Sequence, residues 1–199
     1  MAPLETTGHD GSPQWSPNGH WVAFLSGRAH HGRQLYVVAR PGGAAAMVSA
    51  APGGLHAFAW GADSRTLYFA ARTPLTAAQN AAHQKKWHDV IRYRRDLRGD
   101  SIYRVRVPAA DAFNSEPPAQ FGPTALGAAP VAAMTYRVGQ MLAAANGRKL
   151  FYDTRSRRGP IEVNGYHHEK IYALPLPVAH AQMAADPPAR RSCAASQHA

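Results

Sequence analysis

The sequence predicts an all-β fold, an incomplete β-propeller of about three four-stranded blades, because a strand-forming motif recurs along the chain. Residues 13–24 (PQWSPNGHWVAF) align with residues 58–69 (FAWGADSRTLYF), so that Trp15 matches Trp60 after 45 residues. Propeller blades recur at about 40–50 residues, and each contributes four short strands. A third, weaker copy lies at 144–152 (AANGRKLFY).

Each copy is followed by a second β-rich run in which an apolar residue precedes a tyrosine. These runs are QLYVVAR at 34–40, SIYRVRV at 101–107 and KIYALPL at 170–176. Their tyrosines, Tyr36, Tyr103 and Tyr172, therefore occupy equivalent positions. Aromatic residues can line a substrate surface, but equivalence by repeat favours packing between blades.

The first copy shows how its residues form strands and turns. Trp15 ends a short strand, and the Ser-Pro-Asn-Gly sequence at 16–19 predicts a tight two-residue hairpin, with Asn-Gly supplying the positive φ values. Residues 21–25 are apolar at every position, which is typical of a strand buried on both faces between stacked sheets. The run at 34–38 predicts the third strand, and AAAMVSA at 44–50 a short fourth.

The repeats predict the blade boundaries. We expect a lead of residues 1–12, a partial propeller over 13–178 and a flexible tail over 179–199. The blades are predicted at about 13–50, 55–109 and 131–178.

The second blade is predicted to carry an insert at 73–98. Matching strands lie 45 residues apart before the insert and 67 apart after it, as from Leu35 to Ile102. Within the insert, Thr-Ala-Ala-Gln at 76–79 is a capping box, which predicts a short helix over 76–87. Residues 110–130 are rich in Pro, Ala and Gly and are interpreted as an irregular connection.

Composition excludes several classes of protein. Hydrophobic residues make up 45% of the 199 residues, and without the alanines the larger ones are still roughly a quarter of the chain, which excludes wholesale disorder. No apolar run is long enough for a membrane helix, so no membrane association is predicted. The first residues lack the features of a signal peptide, so a cytoplasmic location is expected. The single cysteine, Cys193, excludes an internal disulfide framework and a cysteine-built metal site.

The formal net charge of +10 permits binding to phosphate backbones or acidic surfaces. The basic residues are scattered, apart from two arginine groups at 92–98 and 155–158, and neither group lies on a recognisable nucleic-acid motif. A solvated, arginine-rich face is therefore favoured over nucleic-acid binding.

No catalytic, cofactor-binding or metal-binding residue is predicted, and no cofactor. The sequence contains no Gly-x-Ser-x-Gly elbow, no nucleotide-binding glycine loop, no His-Glu-x-x-His and no EF-hand loop. The pairs His30-His31 and His167-His168 could supply metal ligands, since imidazole binds Zn and Cu. Adjacent residues on a strand point to opposite faces, so each pair offers at most one ligand to a shared site, and unligated surface histidines are favoured.

The acidic residues give no spacing that selects a pair for general acid–base chemistry. Asp63, Asp89 and Asp100 are instead interpreted as turn or cap residues.

The first motif resembles the blade signature of the prolyl oligopeptidase family, in its dipeptidyl-peptidase and acylaminoacyl-peptidase branch, and the related TolB-like propeller repeats. That signature is an aromatic residue, Ser-Pro-Asp-Gly, a basic residue and an apolar strand ending in Phe. Here it reads Trp15-Ser16-Pro17-Asn18-Gly19-His20-Trp21-Val22-Ala23-Phe24, with Asn18 in place of Asp. The Gly42-Gly43 turn and the stretch 87–103 are also similar to segments of those peptidases.

The resemblance implies a propeller of seven or eight blades that screens the access of peptides to a C-terminal α/β-hydrolase domain. This sequence holds about three blades and no such domain, so no catalytic residue is carried over. The predicted function is the non-catalytic propeller portion of such a serine peptidase, truncated or remnant, and not an enzyme by itself. The alternatives are a TolB-like protein–protein interaction module and, less favoured, a basic nucleic-acid-binding protein.

The expected partners follow from the incomplete ring. They are a hydrolase domain, another propeller half, or a second copy that associates through open blade edges. Three blades cannot close a ring, so the first and third blades are both expected to present open, partly apolar faces.

Overall fold

The part of the chain that the structure describes forms eleven strands in three antiparallel sheets. The structure is a computed structural model, and it describes residues 10–29, 31–40, 43–78, 81, 85, 99–107, 122, 124–155 and 169–176. The prediction of an all-β class is confirmed within these residues.

The first sheet has the strand order β1-β2-β3-β4, in which each strand pairs with the next one along the chain. Its strands are β1 Asp10–Trp15, β2 Trp21–Ser26, β3 Gln34–Ala39 and β4 Ala46–Met47. The two central strands are buried along nearly their whole length, as the runs of consecutive apolar residues predict.

The second sheet repeats this order as β5-β6-β7-β8, and the third has the order β11-β10-β9. The strands of the second sheet are β5 Leu55–Trp60, β6 Thr66–Arg72, β7 Asp100–Arg106 and β8 Ala129–Ala133. Those of the third are β9 Arg137–Ala143, β10 Lys149–Arg155 and β11 Glu169–Pro175. The sheets are hereafter the first, second and third blades.

The blades stack face to face, with the second in the middle. One apolar cluster joins the first and second blades, including Ala23, Leu25, Leu35, Val37, Phe58, Trp60, Leu67, Phe69, Tyr103 and Val105. A second cluster joins the second and third blades, including Ala57, Ala59, Ala70, Ile102, Val138, Met141, Leu150 and Tyr152. Because side chains alternate along a strand, the second blade packs one neighbour on each face.

The first hairpin differs from the predicted two-residue turn. Pro17 to His20 connect the strands, with Ser16 N–H donating to Trp21 O at 2.9 Å and Gly19 N–H to Ser16 O at 2.9 Å. Of the Asn18-Gly19 pair only Gly19 has a positive φ, +70°. This longer connection needs one left-handed residue, Gly19, whereas the two-residue hairpin needs two.

The blade boundaries and the strand number also differ from those expected. Residues 129–133 form the fourth strand of the second blade, whereas the sequence predicts the end of that blade at 109 and the third blade from 131. The described residues supply three strands to the third blade, where four are predicted. Strand β1 begins at Asp10, within the predicted lead.

The predicted helical insert is not seen as an element among the described residues. Most of 76–87 lies outside them, although residues 77, 78, 81 and 85 have helical backbone. The tail at 179–199 and most of the connection at 110–130 also lie outside the described residues.

Candidate interaction surface

Three turns of the same geometry join the first two strands of each blade. In each, the N–H of the fourth residue donates to the carbonyl oxygen of the first, and the fourth residue has a positive φ. The donors and acceptors are Gly19 to Ser16 (2.9 Å), Ser64 to Gly61 (3.1 Å) and Gly147 to Ala144 (2.9 Å), and the φ values are +70°, +56° and +67°. The repeat recognised in the sequence therefore extends to individual hydrogen bonds.

Each turn also has an Asn or Asp at its third position. The side-chain oxygens of Asn18, Asp63 and Asn146 accept hydrogen bonds from the backbone N–H two residues later, at 3.1, 3.1 and 3.0 Å. Such bonds fix the turn locally. The interpretation of Asp63 as a turn residue is confirmed.

The environment of Asp63 lowers its pKa. Partial burial acts to raise the pKa, but hydrogen bonds from Thr66 and Arg65 and the charge of Arg106 outweigh that effect. The pKa therefore lies below its ordinary value, and the turn is most stable with Asp63 ionised.

The turns of neighbouring blades touch each other. Asn18 N–H donates to Ser64 Oγ at 3.0 Å, and the Trp60 indole N–H donates to Gln14 O at 3.1 Å. Both bonds run from one blade to the next. They fix the stacking of the first two blades in a way that nonspecific apolar packing does not.

An aromatic pair spans the second and third strands of every blade. The pairs are Phe24–Tyr36, Phe69–Tyr103 and Tyr152–Tyr172, with centroids 5.9, 5.4 and 5.5 Å apart and rings stacked within 22° of parallel. In the second and third blades the pair faces the preceding blade. Tyr103 and Tyr172 thus pack between blades, as the repeat predicts, whereas Tyr36 packs on the outer face of the first blade.

A polar contact that the sequence did not reveal joins the second and third blades. Asp100, interpreted from the sequence as a turn or cap residue, begins β7 and is fully buried. Its Oδ2 accepts a hydrogen bond from Val138 N–H at 2.8 Å and lies 3.0 Å from His56 Nε2, which is also 2.7 Å from Val138 O. Asp100 and His56 lie 44 residues apart, and no local pattern links them.

On the outer face of the first blade, the side chains of the central strands β2 and β3 are buried, contrary to the open face expected, whereas Trp15 on the edge strand β1 is 59% exposed. Val22, Phe24, Tyr36 and Val38 are each at most 8% exposed, and Ala125 packs against their cluster. Strand alternation puts these residues on the side away from the second blade. The sequence-based expectation failed for these two strands because it could not place Ala125 beside them.

Arg28 lies over the aromatic pair on this face. Its guanidinium carbon is 5.4 Å from the Phe24 centroid and 4.7 Å from the Tyr36 centroid, in cation–π geometry. One terminal nitrogen is 3.1 Å from each carboxylate oxygen of Asp10. Burial raises the pKa of Tyr36 above its ordinary value, although the Arg28 charge acts against the rise.

The outer face of the third blade is open. We call Leu142, Phe151 and Ile171 the third-blade face; they are 69%, 38% and 79% exposed. Ile171 is equivalent by repeat to Leu35 and Ile102, which are both fully buried against the next blade. The exposure of Ile171 thus marks a stacking face on which no blade of the described residues packs.

The candidate metal ligands are not brought together in the described residues. Of the candidate histidines, His30, His167 and His168 lie outside them, as do Cys193 and Asp89, which is interpreted as a turn or cap residue. His31 O accepts a hydrogen bond from Gln34 Nε2 at 3.1 Å. Across the described ranges, no three His, Cys, Asp or Glu side chains form a group that could hold a metal ion. In the same part of the chain, no helix is long and apolar enough to span a membrane.

Comparison with known proteins relates the fold to solved propellers. No family model and no curated protein matches the sequence. A protein assigned as TolB from Agrobacterium tumefaciens superposes with a TM-score of 0.50 and 13% identity, over 86% of this chain and 45% of that one. An acylaminoacyl peptidase from Pyrococcus horikoshii superposes with a TM-score of 0.41 and 16% identity, over 83% of this chain and 23% of that one.

The chain thus spans less than half the length of either structure. At this identity the likeness to the TolB structure concerns the fold alone. The three stacked sheets have the fold of an incomplete β-propeller, similar to part of the TolB structure.

Proposed function

We propose that this chain is a non-catalytic propeller segment that acts by docking to other protein surfaces. The observation that carries the proposal is the contrast at one repeat position: Leu35 and Ile102 are fully buried by the following blade, while Ile171 is 79% exposed. Exposed apolar faces with polar rims are typical of interaction sites.

The composition of the third-blade face supports docking to a β-sheet. The same side of the first and second blades packs against another sheet through Leu35 and Ile102. Leu142 and Phe151 are direct cross-strand partners, so their side chains form a continuous apolar surface of the kind that packs against a second sheet.

A narrower candidate is the propeller portion of a prolyl-oligopeptidase-like serine peptidase. It is favoured by the blade signature from Trp15 to Phe24 and by the Gly42-Gly43 turn. In that role the chain would regulate the access of peptides to an α/β-hydrolase domain. The sequence has no Gly-x-Ser-x-Gly elbow, so the nucleophile would come from that other domain.

Chromogenic acylaminoacyl and dipeptidyl substrates test whether the chain is non-catalytic. We expect no turnover above that of a heat-denatured sample. Hydrolysis that a serine-directed inhibitor abolishes would overturn the proposal.

The coding DNA on either side tests the narrower candidate. A neighbouring frame with a Gly-x-Ser-x-Gly elbow, whose product copurifies with this chain at equal stoichiometry, would support a divided peptidase. If that product is present but does not bind, the peptidase role is wrong.

A further inference from the structure

We propose that the third-blade face binds the same face of a second copy of this chain, in a weak twofold dimer. This inference rests on the proposed docking function and names its occupant. The twofold axis of the dimer lies in the plane of the interface, runs across the strands and passes strand β10 at Phe151.

The outward side of β10 is self-complementary in charge. Lys149, Phe151 and Asp153 alternate with the buried residues of the strand, so all three share the outer side. At about 3.3 Å per residue, Lys149 and Asp153 lie roughly 13 Å apart, with Phe151 midway. A twofold rotation about Phe151 reverses the strand and places each Lys149 opposite Asp153 of the second copy.

The strand register puts apolar groups opposite each other in this arrangement. Leu142 is level with Phe151, so both would meet their own counterparts across the axis. On the edge strand β11, Ile171 is level with Asp153 of β10, and Pro175 is level with Lys149 of β10. Ile171 of one copy would therefore meet Pro175 of the other. A parallel arrangement would instead bring Lys149 against Lys149.

Head-to-tail association is disfavoured at the other end of the stack. On the face of the first blade that would receive a third blade, the side chains of β2 and β3 are buried, and Arg28 and Ala125 lie against them, although Trp15 on the edge strand is exposed. A chain of copies or a closed ring would have to displace them. The face-to-face pair uses only surface that is already exposed.

The size of the face limits the affinity. Three seven-residue strands at about 3.3 Å per residue and about 4.8 Å between strands cover roughly 23 Å by 14 Å. That is well below the roughly 800 Å² per partner of a stable interface, so we expect a dissociation constant of about 10⁻⁴ M. The net charge of +10 on each copy opposes dimerisation, which should strengthen as salt screens the repulsion.

Sedimentation velocity over roughly 10–500 µM tests the dimer, because this range brackets the expected dissociation constant. We expect reversible monomer–dimer exchange that tightens at high salt. Ile171→Lys should weaken dimerisation at least tenfold. The matched control is Trp15→Lys, which replaces an apolar side chain that is 59% exposed on the first blade. This substitution should leave dimerisation unchanged.

A pair of lysine substitutions tests the orientation. Lys149→Glu and Lys170→Glu change the net charge equally, but Lys170 lies on the other side of the sheet, level with Thr154. We expect Lys149→Glu to weaken dimerisation about threefold or more, and Lys170→Glu to leave it unchanged or strengthen it.

Two results would overturn the inference: a monomer at every concentration, or equal effects of the two lysine substitutions. A monomer without peptidase activity leaves the proposed docking function standing, with a different protein as the partner. Peptidase turnover would refute the proposed function whatever the oligomeric state.

Discussion

Truncating Ile102 and Ile171 to Ala compares one repeat position in two environments. Ile102 is fully buried between the second and third blades, in the cluster that includes Val138 and Leu150. Ile171 occupies the equivalent position on the open third blade and is 79% exposed. The chemical change is the same, so the difference in stability reports the stacking of a following blade.

The magnitudes follow from burial. Removing the buried side chain of Ile102 loses its transfer free energy and leaves a cavity, and such truncations cost about 2–5 kcal/mol. We expect about 3 kcal/mol for Ile102→Ala and for Leu35→Ala, the third equivalent position. Ile171→Ala removes mostly solvated surface, so we expect no more than about 0.5 kcal/mol.

Urea unfolding, followed by tryptophan fluorescence, measures these differences. With a slope of about 2 kcal/mol per molar, a loss of 3 kcal/mol lowers the midpoint by about 1.5 M. Protein at about 1 µM keeps the weak dimer dissociated, since this lies far below a dissociation constant of about 10⁻⁴ M. Equal losses for Ile102→Ala and Ile171→Ala would refute the open third-blade face. A negligible loss for Ile102→Ala would refute the packing of the second blade on the third.

Substitutions at four further residues test the turns and the junctions, all by urea unfolding. The Ser64→Gly variant should be about 1 kcal/mol more stable than the Ser64→Ala variant, because Gly adopts the φ of +56° found at Ser64 without strain. Equal stabilities of the two variants would contradict the turn geometry. Because the pKa of Asp63 is lowered on folding, its ionised form stabilises the protein above the unfolded-state pKa of about 3.9, and this stability is lost as the pH falls through the folded-state pKa. Asp63→Asn should therefore reduce the loss of stability between about pH 5 and pH 2. An unchanged dependence of stability on acid pH would disprove this. Asp100→Ala should lower the free energy of unfolding by about 2 kcal/mol, because it leaves Val138 N–H buried and unpaired. Asp100→Asn keeps an acceptor and should lower it less. The reverse order would be evidence against the hydrogen bond between Asp100 and Val138 as a stabilising contact. Arg28→Ala should cost about 1 kcal/mol, and a neutral effect would show that the cation–π contact contributes nothing.

The local features of the fold were accessible from the sequence. The turns after Trp15 and Trp60 were located, and the strand from Trp21 was predicted to be buried on both faces, as it is. These features depend on residues close together in the chain, such as Asn18 and His20, whose hydrogen bond forms within one turn.

The errors concern edge strands and loop type. Strand β8 was interpreted partly as connection because Ala and Pro have little β-propensity, yet Pro130 is tolerated on an edge strand. The first hairpin was assigned two residues because Asn-Gly is the usual signal for that turn, although a longer turn needs only Gly19 at positive φ.

The candidate surface could be predicted only in part. The repeat identifies Ile171 as equivalent to Leu35 and Ile102. The burial of β2 and β3 on the first blade's outer face, with Arg28 over Phe24 and Tyr36, does not follow from the repeat, because it depends on where Asp10 and Ala125 are placed.

By itself, the sequence determined the class of fold, the number of blades and the equivalence of Leu35, Ile102 and Ile171, because these follow from periodicity along the chain. Only the tertiary structure decided which of the equivalent positions is covered, and it alone joined Asp100 to His56 and Val138. Burial and buried hydrogen bonds depend on groups that are distant in the chain and meet only when the sheets stack.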